Sequence, residues 1–375
     1  LFHDIAKGKE GDHSLVGAPL AYNYCLALGL HEEQAKFVGW LVKMHLVMAI
    51  TSQRFDLSDP DVIQGFAEKI SDKERLNYLF LLTVADITAV GPTVWNDWKG
   101  GLLMTLYRET AHYLLRGNDL THGISQRAKG RITQTLELAP KDEQLHLQTY
   151  LQQLPQRALM HYLPKELLVL SRTLAEAGGN QYVHAYFDQE IAVFSIVANE
   201  RQGLFSSLAE VLSSGCLDVL RAQAFALKGK RVLDVFYVRS GEGVALMDDD
   251  LLRLKKRIGN IITQPCFSGS LRPCHYKHHV LMEQVLPHVR VLPQASTWQT
   301  VFEVTAADRP GLLAKLAGII SAANMIIRGA SVSTFGEKAV DVFFVTTMDG
   351  ALLDDSSQQD LCKGLLKEAI ISTDA

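Results

Sequence analysis

The stretch Val301-Phe302-Glu303-Val304-Thr305-Ala306-Ala307-Asp308-Arg309-Pro310-Gly311-Leu312-Leu313 reads as a strand, a glycine turn and the start of an apolar helix. A second β-rich run, Val340-Asp341-Val342-Phe343-Phe344-Val345, follows it. The same order occurs earlier, as Val193-Phe194-Ser195-Ile196-Val197, then Gln202-Gly203-Leu204-Phe205, then Leu233-Asp234-Val235-Phe236-Tyr237-Val238. The copies are offset by 107 to 108 residues, which makes them an internal repeat. In each copy an apolar-periodic helix follows the turn (Leu208, Val211, Leu212; Leu316, Ile319, Ile320), and further strands precede another helix. The spacing predicts a βαββαβ plan, used twice.

Upstream of Gly178-Gly179-Asn180 the periodicity is helical. Leu15, Ala18, Ala21, Tyr22, Cys25 and Leu28 share one face, with Asp12 or Ser14 available as a cap. A second helix is expected to start near His31 and run through Val38, Leu41 and Val42 to His45. A third covers residues 73 to 90, placing Asp86 on a face with Leu79, Leu82 and Thr83, and more helix follows at 101 to 116. The Gln-rich stretch from Ser125 to Gln156 reads as helical connector. These patterns divide the chain into an all-α domain (1–124), a connector (125–189) and two α+β domains (190–285 and 298–375).

Composition narrows the function. A net charge of -4 and a pI near 6.4 give no general basic surface, so binding to nucleic acid through its phosphates is not expected. The longest apolar runs fall far short of the ~20 residues that cross a membrane, so no membrane partner is expected. Five scattered cysteines, Cys25, Cys216, Cys266, Cys274 and Cys362, argue against a disulfide framework and for a reducing, cytoplasmic setting.

The chemistry concentrates at the start of the chain. His3-Asp4, His13, His45 and Asp86 are spaced to line one site between helices, and imidazole with carboxylate is a donor set for a hydrolytic divalent metal. A carboxylate on an apolar helix face must be paired, protonated or metal-bound. The glycines of Gly8-Lys9-Glu10-Gly11-Asp12-His13 can bend the chain sharply and return His13 to the metal, and Lys7 can meet a phosphate oxygen. Metal-assisted hydrolysis of a phosphate ester suits this set. A pair at positions 3 and 4 also implies upstream residues that complete the site. The Cys266, Cys274, His275, His278 and His279 group has no common zinc spacing and is expected to be a polar linker. Trp95 and Trp98 are expected to pack under the helices.

His3-Asp4, His13, His45 and Asp86 resemble the HD superfamily of metal-dependent phosphohydrolases, whose first His has no counterpart here. The resemblance implies that His3, Asp4 and Asp86 hold the metal, magnesium or manganese, while Lys7, His13 and His45 serve catalysis. The repeats resemble ACT domains, ferredoxin-like modules that bind amino acids. Asp308-Arg309-Pro310-Gly311-Leu312 is the strong match, and Glu200-Arg201-Gln202-Gly203-Leu204 lacks the Asp and Pro.

Taken together with Leu82-Thr83-Val84-Ala85-Asp86-Ile87 and Trp95-Asn96-Asp97-Trp98-Lys99, the chain resembles the family of bifunctional uridylyltransferase/uridylyl-removing enzymes. That resemblance implies hydrolysis of UMP from the PII nitrogen regulatory protein, under control of glutamine bound through Arg201, Gly203, Asp308, Arg309 and Gly311. It also implies that the family's nucleotidyltransferase domain is missing from this chain. The competing expectations are an HD-type guanosine-tetraphosphate hydrolase and a non-catalytic amino-acid sensor.

Overall fold

The computed structural model describes residues 2–90, 97–116, 120–241, 245–264, 285–309, 311–335 and 338–371. The expectations for Trp95, the Trp98 side chain and the Cys266 to His279 group lie outside the described residues. The chain divides into two compact units, one of Leu1–Gly123 with Gln294–Ser296, the other of Ile124–Pro293 with Thr297–Ala375.

The first unit is helical: α1 (His13–Ala27), α2 (Glu32–Met44), α3 (Val47–Arg54), α4 (Pro60–Ile70), α5 (Lys73–Val90) and α6 (Asp97–Arg116). Asp12 caps α1 by accepting the Ser14 N–H at 2.8 Å. Met48, Phe66, Ile70, Leu76, Leu79 and Leu106 form its core. Two glycines set how closely α1 is packed. A Cβ on Gly17 would lie 3.2 Å from both Ile5 and Val42, and one on Gly39 would lie 3.2 Å from the Ala18 carbonyl oxygen. These close approaches press the 2–12 segment and α2 against α1, and so bring His3, Asp4 and His45 together.

The second unit opens with α7 (Leu120–Glu137), α8 (Lys141–Leu151), α9 (Gln156–His161) and α10 (Pro164–Ala177). The first repeat is β1 (Tyr182–Asp188), β2 (Ile191–Asn199), α11 (Leu204–Ser214), β3 (Leu217–Leu227), β4 (Arg231–Ser240) and α12 (Asp248–Thr263). The second is β5 (His288–Val291), β6 (Thr300–Ala307), α13 (Leu312–Ala322), β7 (Met325–Phe335), β8 (Lys338–Thr347) and α14 (Ser356–Ile371).

Among the described residues eight strands form one sheet in the order β1-β2-β4-β3-β7-β8-β6-β5. The repeats are joined by β3 and β7, through Arg221 to Ser331, Ala222 to Ala330 and Gln223 to Gly329.

The observed plan corrects the expected βαββαβ in one respect. The outer strand of each repeat, β1 or β5, comes before the β-α-β-β-α run and pairs antiparallel with its first strand. Boundaries drawn at 190 and 298 therefore each cut off a strand. An edge position can be filled by chain from either side, and the tight β1–β2 hairpin carries no Asn-Gly or Asp-Gly pair to announce it. Its turn instead places Gln189 at φ +57°.

The connector is also more than a spacer. Side chains of β2 alternate between two apolar clusters: Phe194 and Ile196 join α11 to α14, while Val193 and Val197 join Leu151, Leu167, Leu170 and Leu174 of α8 and α10. With both faces covered, β2 reads as a continuous apolar run. Among the cysteines, Cys25 and Cys362 are free and buried. Cys216 departs from the expectation of reduced thiols, being disulfide-bonded.

Under this helical layer the Arg221 guanidinium stacks on Tyr162 and Tyr237, 5.5 and 5.1 Å from the ring centroids. Nearby, the Nε2 of His161 is sealed from solvent without a hydrogen-bond partner. Burial, reinforced by Arg221 and Arg157, holds the His161 pKa well below the usual histidine value. The folded chain keeps this ring neutral, whereas the unfolded chain protonates it below pH about 6.5, so the unfolded state binds more protons and stability is lost as the pH is lowered. Urea unfolding between pH 7.5 and 5.5 is expected to show a loss of up to about 1.4 kcal/mol per pH unit below pH 6.5 from this residue. His161→Phe should remove that part of the slope; an unchanged slope would count against the assignment.

Candidate functional site

The chain before α1 is wound tightly. Backbone bonds run from Ile5 to Phe2, Lys7 to Asp4 and Lys9 to Ala6, and Ala6 is fully buried. Gly8 and Gly11 take φ of +88° and +92°, a region that glycine enters without strain, and the turn they make delivers His13 back to Asp4. His13 Nε2 lies 3.5 Å from Asp4 Oδ1, as the Gly8 to His13 bend predicts.

Five of the predicted residues surround one point. His3 Nε2 lies 3.1 Å from Asp86 Oδ1 and 3.7 Å from Asp4 Oδ2. His45, at the end of α2, points its Nε2 toward Asp4 Oδ1 at 3.9 Å. The rings of His3 and His13 meet the His45 ring edge-on, at centroid distances of 5.4 and 5.3 Å. Lys7 Nζ, exposed, is 2.7 Å from Asp4 Oδ2. That hydrogen bond is the main reason the Asp4 carboxyl is held below its ordinary pKa and the Lys7 ammonium above its own.

His45 determines what the cluster can bind. Its Nδ1 lies 2.7 Å from the Val42 carbonyl oxygen, an acceptor only, so Nδ1 must carry the proton. Burial lowers its pKa and keeps the ring neutral. The Nε2 lone pair then faces the cluster, and it is buried with no hydrogen-bond partner. A neutral imidazole oriented by a backbone carbonyl, with its second nitrogen unsatisfied beside a carboxylate, is the arrangement a metal ligand needs.

Donor atoms of Asp4, His13 and His45 lie within 4.8 Å of one another, a separation one ion can span. The grouping differs from the expected trio of His3, Asp4 and Asp86, because His3 and Asp86 face each other as a pair beside it. Asp86 is only partly buried, at 25% side-chain exposure, and its partner is His3 rather than an apolar core.

The predicted effector residues separate into two related pockets between the repeats. Gly203 and Gly311 are left-handed, at φ +76° and +81°, and each is the N-cap of the helix that follows. Asp308, Arg309 and Gly311 line a cavity of about 80 Å³ together with Asp218, Leu220 and Asp341. Arg201 and Gly203 line one of about 30 Å³ with Glu200, Asp234 and Arg328. The two arginine heads tie each turn to the end of its own repeat: Arg201 donates to the Ile261 and Gln264 carbonyls at 2.9 and 2.7 Å, and Arg309 to Ala369 at 2.8 Å.

Sequence reading missed the buried carboxylates Asp234 and Asp341. The signal was a charged residue at the same place in both copies, inside Leu233-Asp234-Val235 and Val340-Asp341-Val342.

The pattern of the ACT domain family matches residues 300–355. Over 98% of its length the chain is 32% identical to a bifunctional uridylyltransferase/uridylyl-removing enzyme of Vibrio cholerae, covering 42% of that protein. It is 34% identical to the enzyme of that name from Idiomarina loihiensis, over 98% of this chain and 43% of the relative. For the one from Azospirillum brasilense the identity is 34%, over 93% and 38%. The chain thus spans about two fifths of the length of the curated relatives it matches.

Calorimetric titration with Mn(II) at pH 7.5 is expected to show one ion bound by the helical unit. His45→Ala should weaken it roughly tenfold or more, with the helical circular dichroism retained. Equal affinity in the variant would remove His45 from the site.

Proposed function

We propose that this chain, which is similar over almost its whole length to about two fifths of the bifunctional uridylyltransferase/uridylyl-removing enzymes, carries in its helical unit an HD-type centre that hydrolyses UMP from PII. The observation that carries the reading is the convergence of His3, Asp4, His13, His45 and Asp86, with the His45 lone pair buried and unsatisfied. Among the described residues no helix is long and apolar enough to cross a membrane.

In this reading Asp4, His13 and His45 hold a divalent ion, magnesium or manganese. When bound, such an ion polarises a phosphoryl oxygen and lowers the pKa of a coordinated water. The chain's own residues do the rest. His3 Nε2 lies 3.1 Å from Asp86 Oδ1, so that carboxylate orients the ring and stabilises the imidazolium formed when Nε2 takes a proton from the attacking water. The water oxygen bonds to phosphorus, the bond from phosphorus to the tyrosyl oxygen breaks, and that oxygen leaves with the proton that His3 took from water, giving UMP and unmodified PII. Lys7, exposed beside Asp4, supplies positive charge for the phosphate oxygens. The sheet unit takes glutamine as the effector, at a glycine turn between the repeats.

The test is release of UMP from uridylylated PII by the full-length protein carrying this chain, assayed with Mn(II). Asp86→Asn is expected to lower kcat by 10²- to 10⁴-fold while PII binding persists. Undiminished UMP release by Asp86→Asn would overturn the mechanism.

A further inference from the structure

The repeats place their pockets by the same rule, so each residue of one pocket has a counterpart in the other. Glu200 corresponds to Asp308, Gly203 to Gly311 and Asp234 to Asp341. Strands β3 and β7 also carry matching bulges, between Val219 and Arg221 and between Ile327 and Gly329. A bulge re-aims the extra residue out of the ladder. The extra residues are Leu220, which lines the larger pocket, and Arg328, which lines the smaller. At this bulge position the first pocket gains a cation that the second lacks, while Asp218 and Arg239 of the larger pocket are matched by the uncharged Ile326 and Thr346.

Arg328 fills its pocket from within. It is 14% exposed, its Nη1 donates to Glu200 Oε1 at 3.0 Å and its Nε to Thr346 Oγ1 at 3.1 Å, and its charge opposes the rise in the pKa of buried Asp234. In the larger pocket Leu220 brings no charge. There Asp341 is 2% exposed, and its Oδ1 is buried without a hydrogen-bond partner. Burial, and the neighbouring Asp308 carboxylate, push its pKa up to about 8. Of the cations that line it, Arg239 is paired with Asp218 at 3.5 Å and Arg309 donates to the Ala369 carbonyl at 2.8 Å. A buried carboxylate with an unsatisfied oxygen is costly unless a donor or a positive group meets it.

Building on the reading of the sheet unit as an amino-acid sensor, we propose that its two pockets are unequal: Arg328 is a built-in occupant of the first, its guanidinium standing where a ligand's ammonium would go. The second is the one working site, where Asp341 receives the α-ammonium. The amide end of α13, opened by Gly311, meets the α-carboxylate. One amino acid binds per chain, and its arrival displaces the proton that Asp341 holds in the empty pocket.

The experiment is calorimetric titration of this chain with L-glutamine at pH 7, in two buffers of different ionisation heat. Wild type is expected to bind one glutamine with net proton release. Asp341→Asn should bind about 10- to 100-fold more weakly and without proton release, while Asp234→Asn keeps wild-type affinity. Arg328→Leu should gain a second site. Two sites in wild type, or loss of binding in Asp234→Asn with Asp341→Asn unaffected, would overturn the inequality and leave amino-acid sensing intact. A folded wild-type chain that binds neither glutamine nor any other amino acid would remove the sensing reading, and this proposal with it.

Discussion

The pairing of β3 with β7 is the constraint on which the sheet unit depends. Three residue pairs, centred on Ala222 opposite Ala330, fuse two repeats into one sheet. The backbones meet closely there: a Cβ on Gly329 would lie 2.9 Å from the Gln223 side-chain oxygen. Because the joint is central, each repeat presents its glycine turn to a strand of the other, and both pockets arise from that single contact. The bulges beside the joint then aim Leu220 and Arg328 into them. The difference between Leu220 and Arg328 at the bulge helps to make two pockets of common origin chemically unlike.

The helical unit solves a different problem, that of collecting polar ligands without a polar core. Close packing at Gly17 and Gly39 draws three chain segments together, and the Val42 carbonyl sets the tautomer of His45. Burial then keeps His45 neutral, while Lys7 keeps Asp4 ionised. Together these give an anionic oxygen beside a neutral nitrogen, the state in which both can donate to a metal. The same force, desolvation, acts oppositely on Asp341, where it favours the neutral acid until a cation arrives.

Much of this was legible in the sequence. The repeat offset located both β-α-β-β-α runs, and the glycine turns at Gly203 and Gly311 carry the left-handed φ that their position before a helix suggests. The spacing of His3-Asp4, His13, His45 and Asp86 announced a shared site. What was not legible depends on contacts distant in sequence. The edge strands β1 and β5 are short, and strand pairing rather than composition gives them their place. Nothing local tells that α8 and α10 cover the second face of β2, and nothing in a run such as Val340-Asp341-Val342 tells which way the Asp points. That His13 and His45 gather on Asp4 while His3 turns to Asp86 is likewise a matter of three-dimensional approach.

The central claim joins the two units: hydrolysis at the helical centre answers to an amino acid held on Asp341. The most direct measurement is the rate of UMP release from uridylylated PII by the full-length protein, with and without saturating glutamine, for wild type and Asp341→Asn. The account predicts that glutamine changes the wild-type rate several-fold and leaves Asp341→Asn unmoved, with both proteins equally active in its absence. An equal response to glutamine in both proteins would contradict it.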